Sequence, residues 1–225
     1  MLVFSHIPRT GGTSLRNFVA RGVDHALSLD ALSDLAFRRD AELLDYDFIA
    51  THCGHAIFER LPEARRVTIL RDPVERIVSM YHHLRERGDD VSSASQFARS
   101  LSLRDFVSLT NPAVTVAVEN AQVWHLLHDK NLVFRNRFSA KSDHQKVDAA
   151  LNNLSTYDIV GFHDRLDETF TKVADVIGIA DTQYPRLASS KRPALSELHR
   201  EDLDAIRSKV ALDDMLFVEA KRRFG

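Results

Sequence analysis

The sequence predicts an α/β fold in which a single domain has a central parallel sheet flanked by helices. Short apolar runs rich in β-branched residues alternate with longer segments whose apolar residues recur at helical spacing. Parallel strands need a long crossover between them, usually a helix, so this alternation predicts a parallel sheet with its ligands at the carboxyl ends of the strands. A length of 225 residues, of which 44% are hydrophobic, is sufficient for one core.

Strands, with helices between them, are expected at residues 2–6, 46–51, 66–71 and 157–162. The polar residues 88–95 predict a loop that opens a mostly helical insertion, about residues 95–150, which we expect to cover the functional site as a lid. Amphipathic spacing predicts a long helix at residues 164–178 and one or two more at residues 197–224.

A turn with two adjacent glycines follows the first predicted strand. Residues 5–15 read SHIPRTGGTSL, and apolar residues at helical spacing come next. Paired glycines let backbone N–H groups approach a phosphate, and the helix N-terminus adds unpaired donors and a positive dipole end. The turn therefore predicts a phosphate or sulfate site, with an ordinary capped turn as the alternative. Its candidate ligands are Arg9, Thr10, Gly11, Gly12, Thr13 and Ser14.

This turn differs from the two common phosphate-binding loops. The kinase and NTPase loop, G-x-x-x-x-G-K-[ST], has its lysine after the second glycine, whereas Arg9 precedes both glycines here. The dinucleotide fingerprint G-x-G-x-x-G is absent as well. The turn is therefore typical of neither a Walker loop nor a Rossmann turn.

A second strand-to-helix junction begins at Arg71. Asp72 at the N-cap, Pro73 at the first helical position and Glu75 at the third are strong signals for a helix start. Helical spacing then predicts a core face that comprises Ile77, Tyr81 and Leu84.

The other face of this helix carries polar residues. Arg76 and Ser79 are three residues apart and share this face, and Arg71 at the end of the strand can point to the same place as Ser79. A planar guanidinium and a hydroxyl suit a phosphate monoester. We therefore expect Arg71 and Ser79 to bind phosphate, with a capping box and surface arginines as the alternative.

Together the two junctions resemble the nucleotide-binding loops of sulfotransferases that use 3′-phosphoadenosine 5′-phosphosulfate (PAPS). Residues 7–15 are similar to the loop P-K-T-G-G-T-[ST], which grips the 5′-phosphosulfate. Residues 71–81 are similar to the 3′-phosphate element R-D-P-x-x-R-x-x-S-x-Y. The resemblance is closest to the glycan sulfotransferases of the heparan 2-O-sulfotransferase type and their bacterial relatives, and it extends more loosely over nearly the whole chain.

This resemblance implies a P-loop-like domain that transfers a sulfuryl group in line from PAPS to an acceptor hydroxyl. Because the branch resembled acts on glycans, the acceptor hydroxyl is expected on a glycan. No metal is implied, because fixed cations would stabilise the developing charge. The family usually has lysine at the position of Arg9, where it is thought to stabilise the bridging oxygen. Since arginine does not give up a proton near neutral pH, a catalytic Arg9 would act electrostatically.

The predicted strand at residues 46–51 leads into the candidate general base. The resemblance implies that the Gly54-His55 pair supplies the catalytic histidine, and His52 is the second candidate. A histidine with a pKa near neutrality suits proton removal from a hydroxyl. The alternatives are a structural histidine, or a metal site formed by His52, Cys53 and His55, which lack a distant set of partner ligands.

Later segments add weaker candidates. The resemblance suggests that the turn carrying Lys191 and Arg192 closes over the nucleotide. Asn120 and Gln122 match positions that commonly touch substrate in the family, although a solvated helix face explains them equally well.

Composition limits the partners. Lys and Arg number 30 against 32 Asp and Glu, a net charge of −2, whereas a general polyanion binder usually carries a basic excess. Nucleic acid is therefore not expected as the main partner. No apolar run approaches the roughly 18 residues of a membrane span, and the first residues lack the pattern of a secretory signal. The chain has one cysteine and hence no internal disulfide, whereas eukaryotic members of the resembled branch typically have disulfides and a membrane anchor. By this contrast a cytoplasmic bacterial-type enzyme is expected.

Two other functions stay open. One is a P-loop-type kinase, which would use ATP and Mg²⁺. The other is a non-catalytic module that binds phosphoadenosine nucleotides or sulfated glycans without turnover.

Overall fold

The computed structural model describes residues 1–29, 38–87, 92–128, 135–180 and 192–225. The strands are β1 Leu2–Ser5, β2 Ala26–Leu29, β3 Phe48–Thr51, β4 Arg65–Leu70 and β5 Ile159–Phe162. They form one sheet in the spatial order β2-β3-β1-β4-β5, and every neighbouring pair is parallel. The predicted α/β class with a central parallel sheet is confirmed.

Helices occupy most of the remaining described chain. The α-helices are Gly12–Val19, Asp40–Leu43, Pro73–Glu86, Ser93–Ser100, Leu103–Ser108, Pro112–Val118, Ala121–Leu127, Asp143–Leu154, Leu166–Ile177, Arg200–Lys209 and Ala211–Phe224. Short 3₁₀ helices are Gly54–Glu59, Asn136–Phe138, His163–Arg165 and Leu195–Glu197. The predicted insertion at about residues 95–150 is helical where it is described, while its role as a lid and the single-domain organisation stay predictions.

The edge strand β2 was not predicted from the sequence. Its residues Ala26 to Leu29 include no β-branched side chain, and only Leu29 is buried. The four residues alternate in exposure, but so short an alternation without an apolar run or β-branched side chains is a weak signal for a strand. The other strands appear where they were expected, with ends that differ by one or two residues.

Each face of the sheet is covered by its own group of helices. Along β1, Leu2 and Phe4 face one side and Val3 the other, because successive side chains of a strand alternate. The first side packs against helices Gly12–Val19 and Leu166–Ile177. The opposite side packs against helices Ala121–Leu127, Asp143–Leu154 and Ala211–Phe224 and the 3₁₀ helix Gly54–Glu59.

A third apolar cluster lies among the helices that follow β4. The predicted core face of helix Pro73–Glu86 is confirmed, since Ile77, Tyr81 and Leu84 are all buried there. This cluster packs along nearly the whole length of the helix that carries the second phosphate motif. Among the described residues, no helix has the length and apolar character needed to cross a membrane.

Candidate functional site

Four of the strands end at the same edge of the sheet and are followed by candidate site residues. The segments that contain Arg9, His52, Arg71 and His163 follow β1, β3, β4 and β5, respectively. Because all strands are parallel, their carboxyl ends meet at one edge, which is the expected ligand edge of an α/β sheet. His163 was not singled out from the sequence, although its position directly after a predicted strand was the available signal.

The glycine turn is held in an unusual backbone conformation. Arg9 has a φ of 71° and Gly11 a φ of 102°, both in the left-handed region. Left-handed backbone costs little at glycine but is strained at arginine, so other contacts must hold Arg9 in place. The Thr10 hydroxyl donates to the Ile7 carbonyl at 2.8 Å and is fully buried. Thr10 therefore braces the turn from inside.

The turn leads directly into helix Gly12–Val19, with Gly11 at its N-cap. The first N–H groups of a helix have no intrahelical acceptor, and no acidic residue lies in this first turn. Thr13 is exposed and Ser14 half-buried, so both hydroxyls border this helix start. The arrangement can bind an anion through main-chain N–H groups, hydroxyls and the helix dipole.

Gly12 lies directly against the imidazole of His6. A Cβ atom at Gly12 would lie 2.0 Å from His6 Cδ2 and 2.1 Å from its Nε2. The ring of His6 is buried and stacks on Phe4 with 5.0 Å between ring centroids. This packing explains why the second position of the glycine pair has no room for a side chain.

We therefore expect Gly12→Ala to destabilise the folded protein by about 1–3 kcal/mol, the range for a forced overpacking. Urea unfolding of the single variants and of the double variant with His6→Ala measures the effect. Removal of the imidazole makes room for the added methyl group, so the double variant should lose less stability than the sum of the two single variants. Additive losses would contradict the steric explanation.

Arg71 joins the two phosphate motifs. Its Nη1 donates to the Arg9 carbonyl at 3.0 Å, and its Nη2 and Nε donate to Glu75 Oε2 at 3.0 and 3.3 Å. The Arg9 Nε in turn donates to Ser79 Oγ at 3.2 Å. Asp72 caps the helix as predicted, but the Glu75 side chain binds Arg71 instead of completing a capping box. The structure thus brings Arg9, Arg71 and Ser79 together.

Positive charge is concentrated at this junction. Burial and the charge of Arg192 lower the pKa of the Arg9 guanidinium. Burial and Arg192 also lower the pKa of Arg71, to about 10. His163 borders the turn, and burial followed by the charges of Arg71 and Arg192 lowers its pKa to about 4. Three arginines that remain charged at neutral pH, within electrostatic range of one another, favour binding of an anion with several negative charges.

His52 lies beside the glycine turn. Its Nδ1 is 2.7 Å from the carbonyl oxygen of His6, and the two imidazole centroids are 4.4 Å apart. Since a carbonyl only accepts, Nδ1 carries the proton, and in the neutral ring Nε2 is the nitrogen that can accept one. Burial first, then His52 and His125, lower the pKa of His6 well below its ordinary value.

His55 has a different set of neighbours. Its Nδ1 is 3.4 Å from Tyr157 Oη, and its ring packs edge-on against Phe58 with 5.4 Å between centroids. Burial, then the charges of Arg66 and His128, lower the pKa of His55 to about 4. Arg66 lies near the start of β4, five residues before Arg71, which corresponds to roughly 16 Å along a strand. The electrostatic neighbours of His55 are therefore not the arginines of the anion site.

The structure excludes the solvent-exposed alternative for Gln122 and for Arg76. Gln122 is fully buried, and its side chain binds the main chain of Arg71, while the Asn120 side chain accepts from Leu212 N at 2.9 Å. Neither residue belongs to a solvated helix face. Arg76 is also fully buried, and it donates to the Ala117 carbonyl at 3.1 and 3.2 Å rather than lying on the surface. These contacts connect positions far apart in the chain, which helical spacing alone does not reveal.

The remaining candidate residues are Lys191, in the turn expected to close over the nucleotide, and Cys53, beside the candidate base. Lys191 lies outside the described residues, whereas its neighbour Arg192 acts electrostatically on both Arg9 and Arg71. Cys53 is buried, and its N–H donates to Thr51 Oγ1 at 3.0 Å. Within the described ranges, no group of three or more His, Cys, Asp or Glu side chains is arranged to hold a metal ion.

Comparison with known proteins identifies the family. A family model described as "Sulfotransferase family" matches residues 1–213. The chain belongs to the sulfotransferase family. Among curated proteins, no match to this sulfotransferase is found. Among solved structures, it is similar to the crystal structure of mouse sulfotransferase SULT7A1 complexed with PAP, with 13% identity and a TM-score of 0.39. That match covers 95% of this sulfotransferase and 65% of the mouse chain, so the chain corresponds to less than two thirds of its neighbour's length.

Proposed function

We propose that this protein transfers a sulfuryl group from PAPS to an acceptor hydroxyl. The observation that carries the proposal is the junction of the two motifs, in which Arg9 Nε donates to Ser79 Oγ and Arg71 Nη1 to the Arg9 carbonyl. The resemblance to PAPS-binding loops assigned one motif to the 5′-phosphosulfate and the other to the 3′-phosphate. Membership of the sulfotransferase family supports both assignments.

In this proposal the donor lies across the carboxyl edge of the sheet. The helix start at Gly12, the hydroxyls of Thr13 and Ser14, and Arg9 would hold the phosphosulfate and stabilise the charge that grows on the leaving oxygen. Arg71 and Ser79 would bind the 3′-phosphate, and the charge of Arg192 would add to the field. Because fixed cations supply the charge, transfer would need no metal ion.

We propose His52 as the general base, with His55 as the alternative that the Gly54-His55 motif favours. His52 touches His6, which packs against Gly12, so it lies next to the proposed position of the phosphosulfate. The pKa of His55 is lowered to about 4, and a base of that strength is poorly matched to a reaction near neutral pH.

The proposed acceptor is a hydroxyl on a glycan, because the motifs resemble most closely those of the glycan sulfotransferases. The net charge of −2 agrees better with an acceptor of low charge than with a long, heavily sulfated chain. A cytoplasmic location and a bacterial source stay predictions from the sequence.

We expect 3′-phosphoadenosine 5′-phosphate (PAP) to bind with micromolar affinity in the absence of metal, and AMP, which lacks the 3′-phosphate, much more weakly. Calorimetry with PAP, AMP, ADP and ATP, each with and without Mg²⁺ or EDTA, measures this preference. Tight, Mg²⁺-dependent ATP binding with indifference to the 3′-phosphate would instead support the kinase. PAP binding without transfer from PAPS to any hydroxyl of a glycan panel would support the non-catalytic module.

A further inference from the structure

The side-chain amide of Gln122 binds both main-chain groups of Arg71. Arg71 N donates to Gln122 Oε1 at 3.0 Å, and Gln122 Nε2 donates to the Arg71 carbonyl at 2.9 Å. Arg71 is the first residue after β4, where the strand leaves the sheet. The amide therefore supplies the donor and acceptor that a neighbouring strand would otherwise offer, and it does so in a fully buried position.

Gln122 is itself fixed by two helix starts that cap each other. The Asp213 carboxylate accepts from Gln122 N at 3.2 Å and from Val123 N at 2.8 Å, at the start of helix Ala121–Leu127. In the opposite direction, Asn120 Oδ1 accepts from the N–H groups of Leu212 and Asp213 at 2.9 and 3.3 Å. Both helices thus have part of their N-terminal donors satisfied by a side chain of the other.

The charge of Asp213 is balanced by Arg76, the fully buried second arginine of the Arg71–Tyr81 motif. Arg76 interacts electrostatically with Asp213 and donates to the carbonyls of Ala117 and Val118. Arg76 belongs to helix Pro73–Glu86, which also carries Ser79. The segment leading to Gln122 is therefore attached to the same helix that contributes to the anion site.

We propose that Gln122 is a positioning residue for recognition of the 3′-phosphate. Gln122 binds both the N–H and the carbonyl of Arg71, and so fixes the position of the Arg71 main chain. From this position the guanidinium donates to Glu75 and to the Arg9 carbonyl. A shift of the Arg71 main chain would move the guanidinium away from both contacts and misalign its remaining donors. This inference rests on the proposed function, because it takes PAP as the ligand.

The test separates positioning from a merely structural role by the ratio of PAP affinity to AMP affinity. Gln122→Met keeps the length of the side chain and removes both hydrogen bonds. It should lower PAP affinity about tenfold while AMP affinity changes less than about twofold. Gln122→Glu keeps an acceptor for Arg71 N but, when ionised, has no donor for the Arg71 carbonyl, so an intermediate loss is expected. Gln96→Met, at an exposed glutamine of helix Ser93–Ser100, is the control and should retain the wild-type ratio.

Calorimetry and thermal denaturation of the same samples distinguish the outcomes. An unchanged PAP-to-AMP ratio in Gln122→Met, or an equal loss for both nucleotides, overturns the positioning role while leaving the proposed function intact. A wild-type protein that does not prefer PAP over AMP overturns the proposed function and the inference with it. If Gln122→Met does not fold, the ratio measured for Gln122→Glu decides in the same way.

Discussion

Arg71→Ala is expected to lower PAP affinity on the order of 100-fold and to remove most of the preference for PAP over AMP. A guanidinium has five N–H donors, and hydrogen bonds to Glu75 and the Arg9 carbonyl engage three of them. The proposal assigns the other two, on a side chain that is 3% exposed in this structure, to the 3′-phosphate. Two charge-assisted hydrogen bonds at about 1.5 kcal/mol each give about 3 kcal/mol, or roughly two powers of ten in affinity. AMP lacks the group that these donors would bind, so its affinity should change far less.

Two further variants make this measurement specific. Arg71→Lys retains a positive charge but not the forked donors, so we expect an intermediate PAP affinity. Arg200→Ala removes an arginine whose side chain is 92% exposed and should leave the affinity unchanged. A folded Arg71→Ala variant with wild-type PAP affinity would disprove the assignment of the 3′-phosphate to Arg71.

The parts of the site that were predictable from the sequence are those formed by neighbouring residues. The strand before Arg71, the Asp72 cap and the glycine turn at Gly11 each depend on local backbone preferences, which a short segment reveals on its own. The parallel sheet then follows from the alternation of strands and helices, and it brings Arg9 and Ser79 together although they are 70 residues apart.

The supports of the site were not predictable in this way. Gln122 binds Arg71 across 51 residues, and Asp213 reaches the start of the Gln122 helix across about 90 residues. In the sequence, an amide or carboxylate side chain is typical of a surface position. Helical spacing predicts which face of the helix carries it, but not which distant residue packs over that face and buries it. The edge strand β2 was missed for a related reason, since its pairing with β3 and not its composition makes it a strand.

The choice between His52 and His55 also depends on side-chain direction. The two histidines are three residues apart, yet His52 directly follows the last residue of β3, whereas His55 lies in the 3₁₀ helix Gly54–Glu59 with its Nδ1 next to Tyr157 Oη. His52 instead donates to the His6 carbonyl beside the glycine turn. The motif resembled identifies the segment, whereas the direction of the backbone after β3 sets which imidazole lies toward the proposed anion site.

His52→Ala is therefore expected to lower kcat by about 10²–10⁴-fold, the usual contribution of a general base, with little change in PAP affinity. His55→Ala is the matched variant, and it should alter kcat by less than about tenfold because it removes packing against Phe58 and Tyr157 rather than a reacting group. Steady-state transfer from PAPS, after thermal denaturation has established that both variants fold, provides the comparison. The reverse ranking would return the role of base to His55.

The pH profile of kcat/KM distinguishes the two histidines by an independent measurement. A general base must be neutral, so kcat/KM falls as pH decreases through the pKa of that base in the free enzyme. Burial and the charge of Arg66 hold the pKa of His55 at about 4, so with His55 as base kcat/KM would stay level down to about pH 5 and fall only below it. An acidic limb that begins above pH 5 in the wild type, and persists in His55→Ala, excludes His55. A limb near pH 4 that disappears in His55→Ala would exclude His52.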